Sequence, residues 1–297
     1  MDTILKTTGL TKQFGRKLAV NDVSMTIKRG DIYGFIGKNG AGKTTFMRMA
    51  LGTAFPTKGE ISLFDGMPAE KARRRIGSLI ESPGLYRNCT AYENLKQFSL
   101  IYGGSEDEIH EILKLVGLDG VGKKKAGRFS LGMRQRLGIA IALLGNPEFL
   151  ILDEPVNGLD PAGMKEVRDL ILKLNHEKNV TILISSHLLD ELSKIVTKYG
   201  IINDGVLVEE VSADDLQERC RQKLTFTVDD VTRAASVLSA ALPSCDIQSD
   251  EEQIVLSSHL DEAASLNRLL VQNDIAVSGI QLQTDGLEQY FMKRIGD

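Results

Sequence analysis

The chain has 297 residues, 42% hydrophobic and 26% charged, the balance of a folded globular protein with room for one large domain or two. Forty acids against 36 bases leave a net charge of −4, so no global positive charge draws it to nucleic acid. Cys89, Cys220 and Cys245 form no CxxC pair and no pattern with histidine, which predicts free thiols in a reducing compartment.

The opening "MDTILKTTGLTKQFG" lacks a basic stretch followed by an apolar core, so no secretory signal is visible. Residues 1–30 read as antiparallel strands joined by polar turns. "DIYGFIG" (31–37) is a short apolar strand that ends in glycine, and "KTTFMRMALG" (43–52) has helical spacing and stops at Gly52. "KGEISLFDG" is a strand entering an Asp-Gly turn. In "IGSLIESPGLY" (76–86) an apolar run delivers a carboxylate, Glu81, onto a Ser-Pro-Gly turn. "SEDEIHEILKLVGL" is a helix capped by Ser105, with Ile109, Ile112, Leu113 and Val116 on its apolar face.

From residue 129 helices (131–145, 162–177, 188–197) alternate with the strands "EFLILDEP", "VTILISSH" and "YGIINDG". That alternation argues for a parallel sheet covered on both faces. "LGIAIALLG" (137–145) is the most apolar helical segment and falls short of the roughly 18 residues a membrane span needs. If the protein acts at a membrane, another chain supplies the spans. Residues 210–222, "EVSADDLQERCRQK" and its neighbours, form a charged, helix-like linker. Beyond it come strand 223–228, helix 230–241, strands 244–248 and 253–257, helix 260–272 and strand 275–282, a βαββαβ order of ferredoxin-like type, closed by the amphipathic helix "GLEQYFMKRIG".

"GKNGAGKT" (37–44) fits G-x-x-x-x-G-K-[ST] between a predicted strand and a predicted helix, the context a phosphate-binding loop requires. Gly37, Lys38, Asn39, Gly40, Ala41 and Gly42 supply inward-turned backbone N–H groups, and the next helix offers its positive end to the same anion. Lys43 reaches the β- and γ-phosphates, the Thr44 hydroxyl can ligate Mg²⁺, and Thr45 can touch the α-phosphate. "FLILDEP" ends an apolar strand in two acids, with Asp153 suited to hold Mg²⁺ through water and Glu154 to orient the attacking water. "FSLGMRQR" (129–136) places Ser130 as an N-cap with Gly132 in the first helical turn, a second anion site. "NGLD" (157–160) and "ISSH" (184–187) follow.

With these five motifs in order, about the first 215 residues resemble the ATP-binding subunits of ABC transporters. The resemblance implies a P-loop α/β ATPase domain, a mixed sheet with an antiparallel N-terminal β-subdomain and a helical subdomain, over residues 1–215. A linker (216–222) and a small α+β ferredoxin-like domain (223–297) would follow. It implies a head-to-tail homodimer sandwiching two ATP molecules, in which Ser130 and Gly132 contact the γ-phosphate held by the partner and Asp160 couples the two sites. It makes His187 the switch histidine beside Glu154, stacks Phe14 on adenine and packs Val20 against the same base. The chain departs from the family's L-S-G-G-Q signature, having Phe129, Ser130, Leu131, Gly132 and Met133 there, and Met133 lacks a glutamine's donors.

Glu81 falls where the family has a glutamine that reaches Mg²⁺. A carboxylate is the harder oxygen ligand, which makes Glu81 a candidate Mg²⁺ ligand with Thr44 and Asp153. Glutamate here, with "SLGMRQR" and "SSHLLDELSKI", is similar to the subgroup that exports antimicrobial peptides, as in bacitracin resistance and lantibiotic immunity, where the permease is a separate polypeptide. The expectation is an ATPase, cytoplasmic and peripheral on the inner face of the membrane, with a permease docking near "YRNCTAYENL". It would have no nucleic-acid partner. The alternative of another class is a soluble ABC ATPase acting on the ribosome or DNA. The C-terminal module is either a ligand-sensing domain or, as favoured here, a packing or dimerisation element.

Overall fold

A computed structural model, which describes residues 2–295 except 188, 221, 244, 246, 284 and 285, separates the chain into two units, Met1–Ala213 and Asp214–Asp297. The first begins with an antiparallel sheet. Strands β1 (Thr3–Phe14), β2 (Lys17–Val23) and β3 (Thr26–Lys28) run in the order β2-β1-β3. Strand β5 (Lys58–Leu63) also pairs with β1, after β4 (Ile32–Ile36) and helix α1 (Lys43–Leu51) have intervened.

The second sheet is mixed. Helix α2 (Ala69–Arg73) leads to β6 (Ile76–Leu79). Helices α3 (Ala91–Tyr102), α4 (Glu106–Leu115) and α5 (Leu131–Ala142) precede β7 (Phe149–Asp153). Helix α6 (Pro161–Lys178), β8 (Thr181–Ser186), α7 (Leu189–Leu192), β9 (Lys198–Asn203) and β10 (Val206–Ser212) complete the set. The order is β10-β9-β4-β8-β7-β6, parallel throughout except for the β9–β10 hairpin. Every residue of β4, β7 and β8 is buried, as expected of strands covered on both faces. Gly77 lets the edge strand β6 press onto α5, because a Cβ there would lie 1.9 Å from the Ala142 carbonyl oxygen. The core under the phosphate loop is built from Tyr33, Phe35, Phe46, Met47, Phe149 and Ile151, each contributing about 1.5–3 kcal/mol by burial.

The helical insertion is held at its entrances by side-chain caps. Thr90 and Glu93 form a reciprocal capping box on α3, and the hydroxyls of Ser105 and Ser130 accept from backbone amides three residues on. Fully buried Asn94 accepts from the Tyr86 amide and donates to the Tyr86 and Thr90 carbonyls, which fixes the loop after Glu81.

The second unit contains α8 (Ala213–Arg219) at its start, then β11 (Lys223–Val228), α9 (Val231–Ala241), β12 (Ile247–Ser249), β13 (Gln253–Leu256), α10 (Ala263–Gln272), β14 (Val277–Gln283) and α11 (Leu287–Ile295). Its sheet is antiparallel in the order β12-β13-β11-β14. Leu224, Phe226, Leu238, Ile254, Leu256 and Leu270 form its own core.

Three details differ from expectation. Strand β10 runs into residues read as the start of the linker. Its burial alternates, but Val206 and Val208 stand on the exposed face of a sheet edge, so the sequence shows no apolar/polar alternation. The helix expected over 188–197 is one turn, Leu189–Leu192, with residue 188 outside the described residues. Residues 216–219 of the expected linker belong to α8, and 221 is outside the described residues, as are 244 and 246 of the expected strand 244–248 and residue 296 of the closing helix. No helix among the described residues is long and apolar enough to cross a membrane.

Candidate functional site

Four neighbouring parallel strands, β4, β8, β7 and β6, deliver their carboxyl ends to one edge of the sheet, with Ile36 beside Ser186 and Asp153 beside Ser185. The residues that follow each strand are the phosphate loop, His187, the Asp153–Glu154 pair and Glu81. Segments far apart in sequence therefore meet at one edge, the place where open α/β sheets hold ligands.

The loop 37–42 wraps from β4 into α1. Gly42 has φ 108°, and a Cβ there would lie 2.3 Å from the Ala19 carbonyl oxygen, so only glycine fits. Lys43 is buried, and its Nζ donates to the Gly37 carbonyl at 2.6 Å and the Lys38 carbonyl at 3.3 Å. The ammonium thus sits at the mouth of the loop, where an anion would meet it. Asn39, Gly40, Gly42, Lys43, Thr44 and Thr45 line a cleft of 340 Å³ together with Phe14, Lys17, Ala19 and Glu154.

The acidic pair is held from three sides. Asp153, 3% exposed, accepts the Thr44 hydroxyl at 2.7 Å on one oxygen and the Ser185 hydroxyl at 2.5 Å on the other. No basic side chain among the described residues forms an ion pair with this buried carboxylate. Glu154 adopts a left-handed φ of 49°, and its amide donates to Ser185 Oγ at 2.9 Å. Its Oε2 lies 2.7 Å from His187 Nδ1; its buried Oε1 has no hydrogen bond and lies 3.2 Å from Lys43 Nζ. A carboxylate only accepts, so Nδ1 carries the hydrogen and His187 keeps Nε2 for another partner.

These residues fit a divalent cation. Thr44 and Asp153 offer oxygen donors, and the buried Asp153 carboxylate makes no ion pair among the described residues. No group of three or more His, Cys, Asp or Glu among the described residues makes a protein-only cage.

Glu81, also at a left-handed φ of 61°, lines a 620 Å³ cavity with Thr44, Asp153, Glu154 and Gln135. Its Oε1 lies 2.6 Å from Arg48 Nη2, so a guanidinium stands beside this carboxylate.

Other expected residues divide clearly. Phe14 is 55% exposed at the rim of the phosphate-loop cleft, with Lys12 Nζ 5.0 Å from its ring centre. Val20 is a correction: it is 0% exposed, enclosed in the core beneath the loop, and presents no surface to a base. Ser130 and Gly132 line neither cavity. Ser130 Oγ accepts from the Met133 amide at 3.2 Å, so the structure does not bring them to the phosphate loop of their own chain. Asp160 caps α6, accepting from the Gly163 amide at 3.0 Å. Sequence reasoning missed Ser185 and Arg48. Ser185 stood inside "ISSH", which was read only for its histidine, and Arg48 is an ordinary basic residue on a helix.

Residues 20–157 match the family model described as ABC transporter. The chain is 47% identical to the bacitracin transport ATP-binding protein BcrA of Bacillus licheniformis, over 100% of this chain and 98% of that protein. It is 42% identical to the lantibiotic transport ATP-binding protein SrtF of Streptococcus pyogenes, over 75% of this chain and 98% of that protein. Among solved structures, the dimeric post-hydrolysis state of the ATP-binding cassette MJ0796 bound to ADP and Pi matches with a TM-score of 0.63. The identity is 26%, covering 71% of this chain and 99% of that chain.

Proposed function

Because the chain belongs to the family of ABC transporter ATP-binding subunits and is an ATPase, we propose that it drives a separate membrane permease that expels antimicrobial peptides of the bacitracin or lantibiotic type. The observation that carries the catalytic part is the Glu154 carboxylate, set between Lys43 and His187 beside an open phosphate loop. The cargo rests on full-length similarity to a bacitracin transport protein. Those relatives are transport proteins, which favours this reading over a ribosome- or DNA-acting ATPase.

In this reading the loop amides and Lys43 bind the β- and γ-phosphates. Glu154 takes a proton from the attacking water, and His187 holds the carboxylate by Nδ1 and turns Nε2 toward the γ-phosphate. Mg²⁺, when bound, would neutralise charge on the phosphates, and Thr44, Asp153 and Glu81 would hold it. Phe14 would stack on adenine from the rim of the cleft. Ser130 and Gly132, which line neither cavity of their own chain's site, would close on nucleotide held by a second copy, in a homodimer where Asp160 couples the two sites. The dimer formed by the similar cassette MJ0796 supports that arrangement.

A permease would dock beside α3. Tyr86, Phe98 and Tyr102 pack ring to ring at 5.7 and 6.4 Å, and Leu100 and Ile101 on the same helix are 80% and 73% exposed. Such docking would make the protein peripheral on the cytoplasmic face. The second unit is read as ferredoxin-like and as a packing or dimerisation element, a reading supported by its βαββαβ order and antiparallel sheet. Disrupting the gene in its host and measuring growth in bacitracin and in a lantibiotic tests the cargo. Increased sensitivity to either is expected, and unchanged sensitivity to both rejects peptide export.

A further inference from the structure

Thr44 and Arg48 are four residues apart on α1 and so occupy successive turns of one face, about 6 Å apart. The upper position is tied to the metal-type site, because Thr44 Oγ1 donates to Asp153 Oδ2 at 2.7 Å. The lower position holds Glu81 by its 2.6 Å contact with Arg48. Glu81 therefore stands at the wall of the cavity that contains Thr44 and Asp153, with its carboxylate turned one helical step away from them. Its backbone is set by the left-handed turn at φ 61°, but three side-chain torsions are free to move the carboxylate between the two levels.

The magnitudes decide which level wins in each state. The Arg48 and Glu81 side chains are 46% and 64% exposed. An exposed pair of this kind is weak and screened by salt. A divalent ion beside the buried Asp153 carboxylate is a stronger attraction in a less polar setting. We propose that Arg48 is the resting counter-ion of Glu81 and competes with the divalent cation for its carboxylate, so that the pair opens when metal and nucleotide bind. The proposal rests on Glu81 being a metal-side ligand. Arg48 then acts as a positioning residue, setting how tightly the site holds its ion without touching it. A glutamine at position 81 would be neutral and would not require this partner.

The test uses the full chain with a non-hydrolysable ATP analogue and Mn²⁺ as the probe, reading free Mn²⁺ by electron paramagnetic resonance. Arg48→Ala is expected to tighten Mn²⁺ binding about two- to fivefold, the range an exposed ion pair allows. Arg48→Lys is expected to restore the parent constant. Glu81→Gln is expected to weaken Mn²⁺ binding and to make Arg48→Ala silent in the double variant. Arg48 serves the end of α1 through its carbonyl, which accepts from the Thr53 and Ala54 amides, so these side-chain changes leave that contact in place. If Glu81→Gln weakens binding while Arg48→Ala leaves it unchanged or weaker, the competition is overturned and the ligand role of Glu81 stands. If Glu81→Gln has no effect on Mn²⁺, the ligand role fails and the proposal fails with it.

Discussion

His187 Nδ1 lies 2.7 Å from Glu154 Oε2, joining the ends of two adjacent parallel strands. In the proposed mechanism Glu154→Gln keeps the shape of the side chain and removes the base. Turnover of ATP is expected to fall by about 10²- to 10⁴-fold, while equilibrium binding of ATP, measured by a fluorescent analogue, is retained. His187→Ala is expected to lose activity to a comparable degree. The double variant should be little worse than either single one, because the two act as a unit. Normal turnover in Glu154→Gln would remove Glu154 from its role.

Ser185 is the hinge of the same arrangement. Its hydroxyl donates to Asp153 and accepts the Glu154 amide, and the side chain is fully buried. Ser185→Ala leaves a buried carboxylate oxygen and a backbone amide short of a partner each. A stability loss of about 1–3 kcal/mol is expected by denaturant titration. Turnover is expected to fall because Glu154 loses the bond that supports its left-handed backbone. A variant with unchanged stability and unchanged turnover would contradict this account.

The phosphate loop and the acidic pair were legible because their chemistry demands particular residues at adjacent positions: glycine where a Cβ would strike the Ala19 carbonyl, lysine and threonine at the helix start, two acids at a strand end. Arg48 was not legible as the partner of Glu81. The two are 33 residues apart, and their meeting depends on how α1 packs against the sheet at β7. Val20 was misjudged for a related reason. The family resemblance puts it against the base, but only the packing of β2 shows that it is enclosed. Strand β10 escaped because an edge strand with exposed valines carries no alternation, and a hairpin partner, not burial, makes it a strand.

Asp31 gives the fold a pH dependence with a definite sign. Burial raises its pKa above the usual 3.8, against the lowering effects of the Lys28 amide and of Lys198. The folded state therefore holds this proton more tightly than the unfolded chain does. Stability is lost as pH rises from the unfolded value through the raised folded value. Asp31→Asn removes that loss while keeping an oxygen for the Lys28 amide, which now donates to Asp31 Oδ2 at 2.7 Å. Relative to the parent, the variant is expected to be more stable at pH 7 than at pH 4. Parallel denaturation curves at both pH values, with no change in the difference, would contradict the sign.

Phe226 tests whether the second unit has a stability of its own. It is fully buried on β11 within a core composed only of residues from that unit. Phe226→Ala removes a large side chain from close packing and leaves a cavity, a change expected to destabilise that core by about 3–5 kcal/mol. The site residues Lys43, Asp153, Glu154 and His187 all lie in the first unit, whose core shares no residue with this one. If the two cores are independent, a variant with lowered unfolding midpoint for the second unit still binds ATP with parent affinity and still hydrolyses it. Calorimetry of the full chain should then resolve two transitions, with Phe226→Ala moving only one. Loss of ATP binding in parallel with the melting of the second unit would mean that the catalytic unit depends on it, and the packing role assigned to residues 223–297 would have to become a functional one.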